Sequence, residues 1–284
     1  MATVTVFGLG EAGSAIAVDL AASGQAVQGF DPAPVPTPVG VIRLDDPRRA
    51  VLDSDVVLAL TGAADATTAL GQALDDIPAG TLYADLSTGS PALKRALAAT
   101  AAGAGLPFAD VALMGTVPDK GIRTPALASG DGADAFVTRF SPLGMPVRST
   151  GPDAGAAATR KLLRSTVVKG VAALLVESMQ AARRAGVDAE IWDNLAEQFT
   201  AADAAFLHRM LEGTERHAAR RHHEMEATVE LLEELGIDAI MTRATTEVLR
   251  RVRSGEASGV GDLAPPGDPH RTAPEAEPEE EETT

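Results

Sequence analysis

The segment Gly8-Leu9-Gly10-Glu11-Ala12-Gly13 has the glycine spacing that lets bare backbone cradle a pyrophosphate. The first glycine of such a turn permits a tight reversal, the second leaves room for phosphate against the main chain, and the third lets a helix pack close to the strand before it. With 27 glycines in 284 residues the motif alone is weak. Its surroundings strengthen it. Thr3 to Phe7 is a β-branched run that ends at glycine, and Glu11 to Ala22 has helical composition. Asp31 closes a second apolar run, Ala26 to Phe30, about twenty residues on. A carboxylate placed there can accept the ribose hydroxyls and repel a 2′-phosphate, which favours NAD and leaves NADP as the possible second cofactor. Thr61, directly after the apolar run Val56 to Leu60, joins the cofactor set. An ordinary glycine turn with a capping aspartate is the plainer alternative.

A dinucleotide moves hydride, so something else must manage a proton. Lys161 sits in a long helical stretch among Leu162, Leu163, Val167 and Val168. Ser165 lies one turn further on the same face, and Lys169 continues that polar stripe as a substrate contact. A lysine in apolar surroundings can have a depressed pKa, which suits acid/base work near neutrality. Taken alone, a lysine that snorkels to the surface is the commoner case. A second polar cluster, Arg216 to Met225, contains His217 and Arg221, which could hold a substrate carboxylate or phosphate through charge-assisted hydrogen bonds. A solvated helix face balanced by Glu212, Glu215, Glu224 and Glu226 is the alternative there. No metal is expected: His222 and His223 are adjacent and so point in different directions, no HExxH arrangement exists, and there is no cysteine.

The elements that must position these residues alternate between short apolar runs and helical stretches up to Gly151-Pro152. Further strand candidates are Val56 to Leu60, Thr81 to Ala84, Pro107 to Asp110 and Ala126 to Ser129, with Pro91 to Ala102 as an intervening helix. That alternation predicts an α/β Rossmann domain with a doubly wound, mostly parallel sheet over residues 1–152. From Ala154 to Ala185 helix formers dominate, and no proline occurs from there to Arg253, so residues 153–253 are expected to form an all-α substrate and dimerisation domain. Trp192 is expected in its core. Residues 254–284 read as a disordered acidic tail, with nine acids against one base, so half of the net charge of -16 sits there. The remaining acidic body speaks against nucleic acid. Neither a secretory leader nor a membrane span is expected, and a soluble cytoplasmic homodimer is the default. Hydrophobic residues make up 45% and aromatics only 3%, so the core must be built from close-packed small side chains.

Four blocks in order give the chain a resemblance to the β-hydroxyacid dehydrogenases, which include 3-hydroxyisobutyrate and 6-phosphogluconate dehydrogenases. They are the Gly8 to Gly13 loop, Asp85-Leu86-Ser87-Thr88-Gly89-Ser90-Pro91, Asp110 to Thr116 with Ser129-Gly130 beyond, and Lys161. The resemblance implies that Ser87 and Thr88 lie at the cofactor and substrate edge. It also implies that Lys161 is the general acid in reduction, or the base in alcohol oxidation, with Ser165 beside it. Met114, Gly115 and Thr116 stand where the family usually has Ser-Gly-Gly, and Ser165 stands where it usually has Asn, so the substrate pocket departs from the family pattern. The Met-Gly-Thr-Val-Pro loop and the segment from Arg216 resemble a less characterised phosphogluconate-dehydrogenase-like branch. The expected activity is NAD(P)-dependent hydride transfer on a small hydroxyacid or keto acid. Imine reduction is the alternative enzyme reading, and a non-catalytic dinucleotide-binding regulatory protein is the third.

Overall fold

The computed structural model describes residues 2–257, 259, 260 and 263. The chain forms two compact units, Met1–Val167 and a second that begins at Val168. The first is built on eight strands: β1 Thr3–Phe7, β2 Ala26–Phe30, β3 Val41–Arg43, β4 Val56–Ala59, β5 Leu82–Asp85, β6 Phe108–Leu113, β7 Ala126–Ser129 and β8 Val147–Ser149. Their spatial order is β3-β2-β1-β4-β5-β6-β7-β8, and every pairing is parallel except β6 with β7. The order reverses at β1, and the crevice outside the carboxyl ends of β1 and β4 is where such sheets bind ligands.

Helices cover both faces, because strands of a parallel sheet bury both sides and successive side chains point in opposite directions. Val4, Val6, Val56, Leu58, Leu82 and Ala84 form one apolar layer with α1 (Glu11–Ala22) and α5 (Ala133–Phe140). Phe7, Val57, Ala59 and Tyr83 form the other, against α2 (Pro47–Val51), α3 (Ala66–Gly71) and α4 (Pro91–Gly103). Ser90 accepts a hydrogen bond from the Leu93 amide and Pro91 opens α4 with its φ already set, so this helix starts where its sequence directs.

A single helix, α6 (Ala156–Ala185), runs from the first unit into the second and at 1.5 Å per residue is about 45 Å long. The second unit continues with α7 (Asp188–Thr200), α8 (Ala204–Arg216), α9 (Ala218–Glu234) and α10 (Ile240–Ser254). Its buried core is small, centred on Ala181, Leu232 and Ala239. Trp192, expected in a core, is 59% exposed on α7, a helix with no buried residue in the single chain. Leu163, Val167 and Val168 around Lys161 are exposed as well, so the apolar setting expected for that lysine is not supplied by burial within one chain. Among the described residues no helix is long and apolar enough to cross a membrane. Most of the expected acidic tail lies outside the described residues. Of its described part, Glu256 pairs with Arg250 at the end of α10.

Candidate cofactor and active site

At the end of β1 the chain turns through Gly8 at φ +90°, a left-handed conformation that L side chains rarely adopt. A Cβ there would lie 2.5 Å from the Leu60 carbonyl oxygen, beside the Thr61 amide, and one at Gly13 would collide with the Gly8 carbonyl. Gly10, in contrast, faces open space, and as N-cap of α1 it offers no side chain to the first amides of that helix. Bare amides at a helix start with room in front of them suit a pyrophosphate. A cavity of about 640 Å³ adjoins them, lined by Leu9, Gly10, Glu11 and Ser14, and the loop after β6 brings Lys120 and Arg123 to the same cavity. Those two cations were not anticipated from sequence. They arrive because Asp19 of α1 accepts the Ile122 amide at 2.8 Å, which folds that loop back onto α1.

Asp31 stands where expected, at the end of β2. Its Oδ2 accepts the Leu9 amide at 2.7 Å and its Oδ1 the Ala33 amide at 2.8 Å, so it braces the glycine loop as well as facing a cavity of about 910 Å³ shared with Arg43 and Asp45. Each carboxylate oxygen keeps acceptor capacity for a ribose hydroxyl. Arg43 is held by the carbonyls of Asp31, Ala33 and Val35. Thr61 is half-buried and donates to the Gly62 carbonyl at 3.3 Å.

The Ser87-Thr88 loop rests on a buried ionic network that sequence reasoning missed. Asp85, Asp110 and Ser129 are consecutive partners across β5, β6 and β7 and occupy one rung of the sheet. Two carboxylates directly opposite each other repel, and both of these are fully buried. The compensating cation is Lys94, one turn into α4 and only 1% exposed. Its Nζ pairs with Asp85 Oδ1, donates to the Asp85 carbonyl at 2.9 Å and lies 3.4 Å from Asp110 Oδ1. Ser87, itself buried, donates to Asp85 Oδ1 at 2.6 Å, while Thr88 beside it is exposed.

The other end of the rung holds α6. Asp110 Oδ2 accepts the amides of Gly155 at 3.1 Å and Ala158 at 3.0 Å together with the Ser129 hydroxyl at 3.0 Å, and Ser129 Oγ accepts the Ala157 amide at 3.0 Å. A carboxylate at a helix start satisfies orphan amides and complements the dipole. Lys161 lies one turn beyond Ala157, half-buried, with Ser165 half-buried one turn further. One network therefore joins three of the four sequence blocks: Asp85-Ser87, Asp110 with Ser129, and the helix that carries Lys161.

The remaining candidates are placed as follows. Met114 is half-buried and donates its amide to the Pro125 carbonyl, Gly115 and Thr116 are exposed, and the Thr116 hydroxyl is 3.3 Å from Asp119 in its own loop. Lys169, His217 and Arg221 belong to the second unit. There Lys169 and His217 are exposed, and Arg221 donates to the Thr214 hydroxyl at 2.7 Å. His222 and His223, expected to diverge, do present their rings at 82° to each other, yet the Nδ1 atoms of both reach Glu226.

Comparison with known proteins bears on the fold and the family. Residues 3–139 match the NAD binding domain of 6-phosphogluconate dehydrogenase, and residues 182–252 match a domain of unknown function, DUF1932. A conserved hypothetical protein from Sinorhizobium meliloti 1021 is 30% identical and has a TM-score of 0.58, with 92% of this chain and 93% of that one covered. The chain belongs to the 6-phosphogluconate-dehydrogenase-like family that joins this NAD-binding domain to DUF1932. The chain is 22% identical to an imine reductase variant from Myxococcus stipitatus solved with NAD+, with a TM-score of 0.73 over 90% of this chain and 94% of that one, which shows the common fold. A conserved protein of unknown function, described as structurally similar to 3-hydroxyacid dehydrogenases, is 25% identical with a TM-score of 0.56, covering 89% of this chain and 98% of that one. No curated protein matches the chain. The first unit is thus an NAD-binding domain in a dehydrogenase or reductase fold.

Proposed function

We propose that this protein is an NAD(P)-dependent oxidoreductase that transfers hydride between nicotinamide and a small hydroxyacid or keto acid, with Lys161 as general acid/base. The observation that carries the proposal is the buried rung Asp85-Asp110-Ser129, which fixes the Ser87-Thr88 loop and the start of α6 in one hydrogen-bonded frame. Catalysis needs its groups held in fixed register, and a frame that anchors the start of α6 would serve a lysine one turn further along that helix. The glycine loop and the amides of α1 would hold the pyrophosphate, and Asp31 would hold the adenosine ribose, which favours NAD while leaving NADP usable. Bound nicotinamide supplies or accepts the hydride. In carbonyl reduction the Lys161 ammonium donates a proton to the developing alkoxide; in alcohol oxidation the neutral amine removes it. Thr88, exposed beside buried Ser87, is the hydroxyl of that loop open to substrate. Lys169, His217 and Arg221 extend the same proposal to substrate carboxylate binding.

Imine reduction is the second reading, favoured by the whole-length fold shared with the Myxococcus stipitatus imine reductase. Retention of a lysine at position 161 favours the hydroxyacid. The test is a screen of small 2- and 3-hydroxyacids, keto acids and cyclic imines with both cofactors. Turnover of acids is expected, and turnover of imines alone would overturn the proposal. On the acid so found, Lys161→Ala is expected to lower kcat by about 10²–10⁴-fold with little change in NADH affinity; wild-type turnover in that variant would remove the lysine from the mechanism. A cytoplasmic homodimer completes the proposal.

A further inference from the structure

Among the described residues, one cluster of ligating side chains outside the redox site remains without a role. On α9, His222 and Glu226 are one turn apart, and His223 and Glu226 three residues apart, so both imidazoles reach one carboxylate. Glu226 Oε2 is 3.0 Å from His223 Nδ1 and 3.3 Å from His222 Nδ1, and one donor atom from each of the three residues lies within 4.8 Å of the others. His222 is only 6% exposed, and its Nδ1 makes no hydrogen bond although Glu226 is within reach: the ring nitrogen is near the oxygen but not aligned with it. A buried polar atom left in this state is costly and unusual.

We propose that His222, His223 and Glu226 form a binding site for a divalent transition-metal ion, with zinc the best fit. Tetrahedral zinc with bonds of about 2.0–2.1 Å places neighbouring donor atoms roughly 3.3–3.4 Å apart, close to the two spacings from Glu226, 3.0 and 3.3 Å. A cation between the donors takes the lone pair of a neutral His222 Nδ1, an atom to which no hydrogen bond is made. Two imidazoles and one carboxylate select zinc, cobalt or nickel over magnesium and calcium, which prefer all-oxygen shells. A cavity of about 580 Å³ opens beside His222 and Glu226, so water or an external ligand can complete the coordination. Three arginines lie nearby and would oppose a cation, but two are already neutralised. Arg250 is paired with Glu247 and Glu256, and Arg243 with Glu233 and Asp238. Arg253 acts on Glu226 from a distance, and Glu230 adds a carboxylate on the cavity side. Nothing in this site depends on the proposed redox chemistry.

Calorimetric titration of the full chain with zinc tests the proposal, with cobalt absorption as a report of coordination geometry. Wild type is expected to bind one zinc per chain and to give the intense visible bands of tetrahedral cobalt, while magnesium produces no heat. His223 and Glu226 are exposed, so His223→Ala and Glu226→Gln should fold normally. Each should weaken zinc binding at least tenfold, about the lower bound for losing even an outer partner of a zinc ligand. His208→Ala, on α8, should bind as wild type does. Absence of zinc binding by wild type, or binding unchanged in His223→Ala and Glu226→Gln, would overturn the site.

Discussion

Asp85 and Asp110 face each other, both fully buried, across adjacent strands, an arrangement that a sheet tolerates only when a cation is supplied. Lys94 supplies it, and the Gly155 and Ala158 amides that donate to Asp110 stabilise the remaining negative charge. Removing one partner of a buried ion pair costs about 3–5 kcal/mol, because the other charge stays buried and uncompensated. Lys94→Met is therefore expected to lower stability by about that amount, read as a fall in the urea midpoint. Adding Asp85→Asn to it should recover part of the loss, since the two residues share one network. A midpoint equal to wild type in Lys94→Met would show that the rung does not hold the sheet together. Sequence alone does not single out Lys94. In a helix otherwise rich in alanine a lysine reads as solvated, and only the register of β5 on β6 reveals two carboxylates awaiting it.

At the scale of elements the sequence was most legible where a run ended in a residue with a physical reason to end it. β1 stops at Gly8, β2 stops before Asp31-Pro32, α1 gives way near Gly24, and α6 ends at Ala185 before Gly186. The short strands β3 and β8, of three residues each, carry too little pattern to be seen before their neighbours are placed. α6 starts at Ala156 rather than Ala154 because Gly155, at φ +95°, donates its amide to Asp110 from outside the helix. Caps supplied from a distance are equally invisible. Ala239 gives α10 no side-chain cap, and Glu177 of α6 provides one by accepting the Met241 and Thr242 amides at 2.8 and 2.9 Å and the Thr242 hydroxyl at 2.6 Å. Burial alone would push this carboxyl up, but the three hydrogen bonds outweigh burial and hold it below its ordinary value. A depressed folded pKa contributes stability above the unfolded value, about 4.3 for Glu, and that stability is lost as pH falls through the lower folded value. Glu177→Gln is thus expected to cost about 1 kcal/mol at neutral pH. Thermal melts should show the gap from wild type closing as pH drops below 4.3. A gap that stays constant with pH would mean that the cap's charge does not matter.

For the whole molecule, the first unit buries two continuous apolar layers, whereas the second leaves much of its apolar surface outside. Neither α7 nor α8 has a buried residue, yet they carry Trp192, Phe199, Leu207 and Met210, all exposed. Trp192 was expected inside because a large aromatic is normally buried, and the single chain leaves it 59% exposed. Large apolar side chains exposed on the helices of one small unit suit an interaction site, and closed two-fold pairing of identical chains is the commonest way to cover one. A stable pair needs about 800 Å² per partner, and the exposed apolar side chains of these two helices are the candidates to provide it. Size-exclusion chromatography with light scattering is expected to give twice the chain mass for wild type. Trp192→Glu combined with Met210→Glu should give a single chain mass, because a charge desolvated at the centre of such a surface is not repaid. NADH binding should survive in that monomer, since the glycine loop, Asp31 and the rung beneath Ser87 all belong to the first unit. A wild-type chain that runs as a monomer, or a double variant that stays paired, would assign these helices a different partner.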